Sequence, residues 1–393
     1  MSALITGMGA VSSVGADRTS TFDALCAGRS GLAPLRAFAP AHYRARHAYE
    51  IDDRPASGED RPLRPTDWLL AAVAEALADA GRPDDLAGVP VLVGTTLREL
   101  RSVELRWCED APFDPADLHF GTALRRRFGA DRTYTVGNAC AASLYALGLA
   151  CDLLDLGEAD TVVVAGTDTI TESTYGMLDR VYREAPDTVL PFDRRRRGML
   201  QGDGAAAVVL TRDPGTARAG STTGSGTAAG GRDAAHARVR SVGLNCDAHH
   251  PSAPDRASIG RAMRQAHTRA GVTPADIDLV MLHGTGTPHN DRAEALALTD
   301  VFAADAARPH LTAVKSMIGH TAGASGLHSL IVAVQALTTG RVPPTLGLTD
   351  PIDEVRDLRI GPHPVHAPGL RLAQVDAFGF GGLNAVAVVE RAA

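Results

Sequence analysis

The sequence predicts an α/β protein in which sheets buried on both faces are covered by helices. Three observations carry this. Valine-rich apolar runs end at glycine, helical stretches lie between them, and two of the helices lack a polar face. Strands covered on both sides read as continuous apolar runs rather than as alternating ones.

Taken in order, the chain opens Met1-Ser2-Ala3-Leu4-Ile5-Thr6-Gly7, a short buried strand running into a glycine turn. A helix is predicted from Asp67 to Ala80 and a strand over Val89–Gly94. The first apolar helix runs from Cys140 to about Leu156, and the strand Thr161–Gly166 follows it. Ala205–Leu210 is the next strand. The low-complexity stretch Gly220–Gly231 reads as a flexible surface loop leading to a strand near Val239–Gly243. Ser258–Ala270 is helical and Leu279–Leu282 is a strand. The second apolar helix runs from Thr321 to about Leu337, and Ala385–Val389 is a late strand. A helix apolar all round belongs at the centre of a large protein. Both central helices begin with small residues, beside Cys140 or His320, which points to two similar halves with one central helix each.

The 393 residues, 45% of them apolar, can bury a large core. A formal net charge of -7 argues against a general nucleic-acid binder. The opening shows no secretory pattern, and no apolar run reads as long enough to cross a bilayer. The five cysteines are scattered without CxxC spacing, so a reduced cytoplasmic setting is expected, with neither a disulfide framework nor a metal site. Of 39 basic residues, Lys315 is the single lysine. A coding bias toward arginine explains the missing lysines but not the survivor. Only lysine offers a compact ammonium whose pKa moves readily on burial.

Cys140 lies in Val136-Gly-Asn-Ala-Cys-Ala-Ala-Ser143, at the start of the first apolar helix. The positive field of a helix start favours a thiolate there. A lone cysteine is ordinarily a small buried hydrophobe, and Cys26, Cys108, Cys151 and Cys246 read so. His283 lies in Leu282-His-Gly-Thr-Gly-Thr-Pro-His-Asn-Asp291, directly after an apolar strand, where α/β proteins place functional groups. The Gly-Thr-Gly-Thr there lacks the lysine of a phosphate loop. His320 lies in Ala313-Val-Lys-Ser-Met-Ile-Gly-His-Thr-Ala-Gly323, at the start of the second apolar helix, where the helix field keeps an imidazole neutral. Any one histidine is ordinarily a satisfied core residue. Cys, His, Lys and His each beside a glycine or a buried helix are poorly explained that way.

These motifs resemble the β-ketoacyl–acyl carrier protein synthases of fatty acid and polyketide assembly. The likeness extends to Thr6-Gly-Met-Gly-Ala-Val-Ser-Ser-Val-Gly15, to Pro191-Phe-Asp193 with Gly202-Asp-Gly-Ala205, and to Ala377-Phe-Gly-Phe-Gly-Gly-Leu-Asn384. It implies the thiolase fold, five-layered αβαβα with two duplicated halves, set at residues 1–245 and 246–393. It implies a homodimer that works with an acyl carrier protein, with no cofactor beyond the phosphopantetheine that carries the substrate. Cys140 would accept the acyl chain, with its own N–H and that of Phe380 as the oxyanion hole. His283 and His320 would bind the carbonyl of the second thioester and stabilise the enolate left when malonate loses CO2. Lys315 would orient the site electrostatically, and Phe380 would act as a gate on its glycine loop. Thr285 and Thr287 would hydrogen-bond the pantetheine arm. Ser252, Asp291, Ser329, Gly379 and Gly381 would complete the substrate surroundings. Arg195 and Arg196, in the run Arg194–Arg197, would dock the acidic carrier, although charge runs are commonly just solvated.

Three departures bear on the reaction. The family glutamate nine residues after the second histidine is Ser329 here, so Lys315 loses a partner whose load Asp291 would share. Asn138 stands for the usual threonine before the cysteine, and the stretch from Gly94 to Cys140 is short. Elongation on a carrier-bound thioester is therefore the first expectation. Ring closure of the bound chain, or its transfer to another nucleophile, is the second. A non-catalytic partner subunit would lack Cys140.

Overall fold

A computed structural model describes residues 3–54, 59–213 and 235–392; the Gly220–Gly231 stretch lies outside them. The first half runs β1 (Ala3–Ser12), α1 (Arg64–Asp79), β2 (Val91–Gly94), β3 (Thr133–Val136), α2 (Ala142–Leu156), β4 (Thr161–Asp168) and β5 (Gly204–Arg212). The second runs β6 (Ala237–Cys246), α3 (Arg256–Ala270), β7 (Leu279–Met281), α4 (Pro288–Phe302), β8 (His310–Thr312), α5 (Ser325–Thr339), β9 (Arg359–Ile360), β10 (Leu372–Gly379) and β11 (Leu383–Arg391).

The duplication is legible in the strand order. In the first half it is β3-β2-β4-β5-β1 and in the second β8-β7-β10-β11-β6, with β9 added at the edge. Each is the order third, second, fourth, fifth, first. The directions repeat as well. β2 runs parallel to β3 and β4, while β5 is antiparallel to β4 and β1. β7 runs parallel to β8 and β10, while β11 is antiparallel to β10 and β6. A short antiparallel pairing of Ala3–Ile5 with Ala237–Val239 joins the halves into one ladder. β6 opens the second set at Ala237, so a division between residues 245 and 246 would fall inside that strand.

Packing makes five layers of this. Val162 and Val164 of β4 face inward onto α2 and α5, which also pack on Val375, Ala385 and Ala387 of the second half. Val163 and Ala165 face outward onto α1. Val386 and Val388 face outward onto α3 and α4. The period of two along each strand thus feeds two apolar layers at once.

Local differences from the sequence expectation have physical causes. β1 does not stop at a glycine turn but continues to Ser12. A Cβ on Gly7 or Gly9 would stand 2.1 Å from the carbonyl oxygen of Ala76 or Ala72, so these glycines admit α1 rather than make a turn. α2 and α5 begin one short turn later than predicted, after the 3-10 turns Ala139–Ala141 and Ala322–Ala324. Ala139–Leu156 is long and apolar enough to cross a membrane, but most of it is buried inside the protein; Leu149 and Leu156 are exposed on its outer side. Cys108 and Cys246 are exposed, whereas Cys26 and Cys151 are buried as expected.

One buried carboxylate ties the halves together beneath the site. Asp168, at the end of β4, accepts from Thr95 Oγ1 and from the N–H groups of Thr96, Leu97 and Gly323, at 2.7 to 2.8 Å. Three of these donors are backbone groups with no water to replace the lost acceptor. Asp168→Ala is expected to lower the unfolding free energy by about 3 kcal/mol or more. Asp168→Asn, which can still accept, is expected to lose less. Urea denaturation followed by circular dichroism checks the order.

Candidate active site

The two repeated halves bring the starts of their central helices to one cleft. Cys140 sits in the turn before α2, His320 two residues before the turn that opens α5, and His283 two residues beyond β7. The cleft, open to solvent, is lined by all three, together with Thr285, Thr287 and Phe380.

The backbone at the nucleophile is unusual. Ala139 has φ +48, a left-handed conformation that costs energy for a residue with a Cβ. It turns Cys140 into the cleft, under the loop that follows β10. A Cβ on Gly379 would lie 3.2 Å from the Ala139 Cβ and 3.3 Å from the Cys140 nitrogen, so glycine is what lets this loop close over the elbow. The backbone N–H groups of Phe380 and Cys140 lie close enough to the sulfur to favour its ionised form. They are the two donors an oxyanion formed at Cys140 would meet. The Phe380 ring itself is 44% exposed at the mouth.

The thiol is not held as a thiolate. Burial pushes Cys140 up to about 11, against the pull of the Lys315 charge and of those two N–H groups. Loss of hydration outweighs the helix field, which is why the expected thiolate is absent at rest. Both histidines are driven well below their ordinary range, first by burial and then by the Lys315 charge, so they are neutral. Their rings meet edge to face at 5.5 Å, and the His283 ring rests on Phe378 at 5.7 Å. Lys315 Nζ donates to the His283 carbonyl at 2.6 Å and lies 3.5 Å from His283 Nδ1. An ammonium can only donate, so Nδ1 is the acceptor and Nε2 bears the proton. Among the described residues neither His320 ring nitrogen has a partner, although the residue is buried.

Behind the histidines lies the charge that balances Lys315. Burial pulls its ammonium down to about 8, while Glu294, Cys140, Asp291 and Asp376 hold it up. Glu294, pushed up to about 7 by burial, accepts the N–H groups of His283 and Gly284 at 2.6 and 2.9 Å. Among the described residues no carboxylate hydrogen-bonds Lys315 directly.

The remaining expected positions divide. Ser252 and Gly379 line the cleft with Thr285 and Thr287, whose hydroxyls lie 2.9 Å apart. Asp291, Ser329 and Gly381 do not line it. The Asp291 carboxylate is taken up by the N–H groups of Phe192 and Gly286, at 2.8 and 3.2 Å, which pins two loops together. Ser329 is buried, with no partner for its hydroxyl among the described residues, and the Gly381 N–H donates to the Pro251 carbonyl at 2.8 Å. The arginine run is neutralised by its own fold. Arg195 pairs with Asp193 at 2.9 Å, and Arg196 is largely buried against Asp291, Asp193 and Pro288. Arg194 and Arg197 pair with Asp353 and Glu184. The run therefore presents little free positive charge. Met199, His250, Asn290 and Asn384, which the sequence reading did not single out, also line the cleft. Asn290 and Asn384 stand inside motifs already recognised. Asp376 was visible as an acid within the apolar run Val375–Ala377.

Comparison with known proteins places this geometry. Sequence models of the β-ketoacyl synthase N-terminal and C-terminal domains match residues 128–214 and 236–349. The chain is 29% identical, over an alignment of 425 residues, to the tetracenomycin polyketide synthase ketoacyl synthase alpha subunit of Streptomyces glaucescens, covering 99% of this chain and 96% of that one. It is 29% identical, over 438 residues, to 3-oxoacyl-acyl-carrier-protein synthase 2 of Rhizobium meliloti strain 1021, covering 99% and 98%. The solved structure of the ishigamide ketosynthase/chain length factor superposes with a TM-score of 0.85 at 30% identity, over 100% of this chain and 99% of that one.

The electrostatics predict how Cys140 meets an alkylating agent. With a thiol near 11, iodoacetamide labelling of Cys140 should keep accelerating from pH 7 to 10 with no plateau. Lys315→Met removes the charge that lowers the thiol, so labelling at pH 8 should slow by about three- to tenfold. Peptide mapping separates Cys140 from the exposed Cys108 and Cys246.

Proposed function

The chain belongs to the β-ketoacyl synthase family, and from that premise we propose that it is a polyketide ketosynthase. It takes an acyl chain from a carrier-protein thioester onto Cys140 and joins it, through a new carbon–carbon bond, to a second carrier-bound thioester. The observation that carries this reading is the convergence, on one cleft, of a buried thiol, two backbone N–H donors at its sulfur and two neutral imidazoles.

The first half-reaction is thioester exchange. Cys140 Sγ attacks the acyl carbonyl, and the N–H groups of Cys140 and Phe380 hold the oxyanion. The carrier thiolate leaves and takes up the proton the cysteine gave up. A resting thiol near 11 is a poor nucleophile, so its proton leaves as the new bond forms and ends on the departing carrier thiolate.

The second half-reaction needs neutral donors. His283 Nε2–H and His320 bind the thioester carbonyl of a malonyl group. As the carbon–carboxylate bond breaks and CO2 departs, that carbonyl becomes an enolate oxygen stabilised by the two rings. The enolate carbon attacks the acyl group on Cys140. The new carbon–carbon bond forms, the carbon–sulfur bond breaks, and the Cys140 thiolate takes up a proton from bulk solvent. Thr285, Thr287 and Asn290 line the approach and suit the amides of a phosphopantetheine arm. The carrier is an acyl carrier protein. We infer that a second ketosynthase-fold chain pairs with the sheet edge formed by β3, where Tyr134 is half exposed.

Intact mass after incubation with acyl carrier thioesters should show one acyl group on the wild type and none on Cys140→Ala. Adding malonyl carrier protein should release CO2 and extend the chain. His320→Ala should keep loading within a few-fold and lose about 100-fold or more in condensation. A loaded enzyme that releases no CO2 would overturn elongation in favour of ring closure or transfer to another nucleophile.

A further inference from the structure

In the reaction proposed above, two carrier arms enter one cleft in turn. While the second thioester meets His283 and His320, the acyl tail on Cys140 must lie clear of the approach lined by Thr285, Thr287 and Asn290. A second, narrow cavity offers that place. Met199, which lines the cleft with Cys140, also lines this cavity.

The wall that the two share is tied to the catalytic histidine. The His320 N–H donates to the Leu200 carbonyl at 2.9 Å, and the Gly202 N–H donates to the His320 carbonyl at 3.0 Å. Leu200 and Gln201 both line the cavity, so it adjoins the site through these bonds. Another wall is the helix Glu172–Val181, through its buried Tyr175 and Leu178. The Tyr175 ring meets Phe38 and Tyr43 edge to face, at 5.4 and 5.3 Å, which backs that wall with a packed aromatic cluster.

The polar groups of the lining are spent on its frame. The Tyr182 hydroxyl accepts the Met199 N–H at 3.3 Å, and the Tyr175 hydroxyl donates to the His47 carbonyl at 2.9 Å. The Asp179 carboxylate accepts the N–H groups of Arg44 and Ala45 at 3.1 and 2.8 Å. Gln201 Nε2 donates to Thr174 Oγ1 at 2.6 Å, and among the described residues its Oε1 has no partner. That free acceptor is no match for a ketone oxygen, which also only accepts. Ala45, Leu178, Met199 and Leu200 add carbon.

We propose that the acyl tail on Cys140 passes Met199 into this cavity, which selects short, unoxidised alkyl chains as the substrate of the loading step. This rests on the function proposed above. The methionine side chain is unbranched and flexible, so it can swing aside and then pack along an alkyl chain.

Loading of Cys140 by pantetheine thioesters of straight-chain acids, followed by intact mass, tests this. From acetyl to butyryl the rate should rise roughly three- to fourfold with each methylene, as apolar surface is buried. It should fall again by decanoyl, for which the narrow cavity has no room. Acetoacetyl should load more slowly than butyryl, because its second carbonyl loses water without gaining a donor. Leu178→Phe fills the cavity and should lower the butyryl-to-acetyl ratio by about tenfold. Met177→Phe, on the exposed side of the same helix, should leave the series unchanged. If Leu178→Phe does not fold, Leu178→Ala should move the optimum to a longer chain. A rate that ignores chain length, or a series that the Leu178 variants leave unmoved, puts the tail elsewhere and overturns the inference. Faster loading of acetoacetyl than of butyryl overturns it too. If no thioester of any length labels Cys140, the proposed function fails instead, so the two failures are distinguishable.

Discussion

The hydrogen bond from Lys315 to the His283 carbonyl is the interaction on which the rest of the site depends. It places a charged ammonium in a fully buried position, which is costly unless counter-charge is supplied. The surrounding carboxylates answer that cost. They also carry the backbone of the site, because Glu294 grips the residues on either side of the same carbonyl. Lys315 therefore does three things from one place. It holds the His283 backbone, fixes the tautomer of its ring, and lowers the Cys140 thiol. An arginine fork could not sit as a compact point charge in this space, which is why one lysine persists in a chain otherwise rich in arginine.

The duplicated fold explains how such groups come together from distant parts of the chain. Each half ends a parallel strand at the outer side of its sheet, β3 or β8, and starts its central helix after it. Packing α2 and α5 together between the two halves brings both helix starts to one cleft. Cys140 is the contribution of the first half; His283, Lys315 and His320 are the contribution of the second. The β10–β11 turn then crosses back over the Cys140 elbow, and Gly379 sets how closely it approaches. Asp168 fastens the seam from below.

Much of this was legible in the sequence, because strong periodicity and a few reactive residues survive without context. The valine runs, the two apolar helices and the four residues Cys140, His283, Lys315 and His320 fall where the sequence put them. What failed were statements that depend on a neighbour. Gly7 and Gly9 looked like a turn because close approach of α1 leaves no trace in the local pattern. Arg195 and Arg196 read as a free basic run because the pairing of Arg196 with Asp291 arises only in three dimensions. Asp291 does share the load on Lys315, but as a nearby charge and not as a hydrogen-bond partner, because its oxygens are occupied by two loops. The resting thiolate at Cys140 failed for a related reason: helix position can be read locally, but burial cannot.

Those corrections converge on a single account of charge in the cleft. A thiol near 11 and two imidazoles far below their ordinary range leave the cleft itself uncharged at rest. The charges sit behind it, on Lys315 and the carboxylates. That division suits chemistry in which negative charge arises only during reaction, first on the tetrahedral oxyanion and then on the enolate. In the proposed condensation, a resting thiolate would repel the malonyl carboxylate, and a resting imidazolium would stabilise that carboxylate before reaction and so oppose loss of CO2. Neutral donors let the carboxylate enter and lose CO2 while stabilising the oxygen that becomes negative. The buried lysine can then tune the cysteine and the histidine without placing its own charge where the substrate binds.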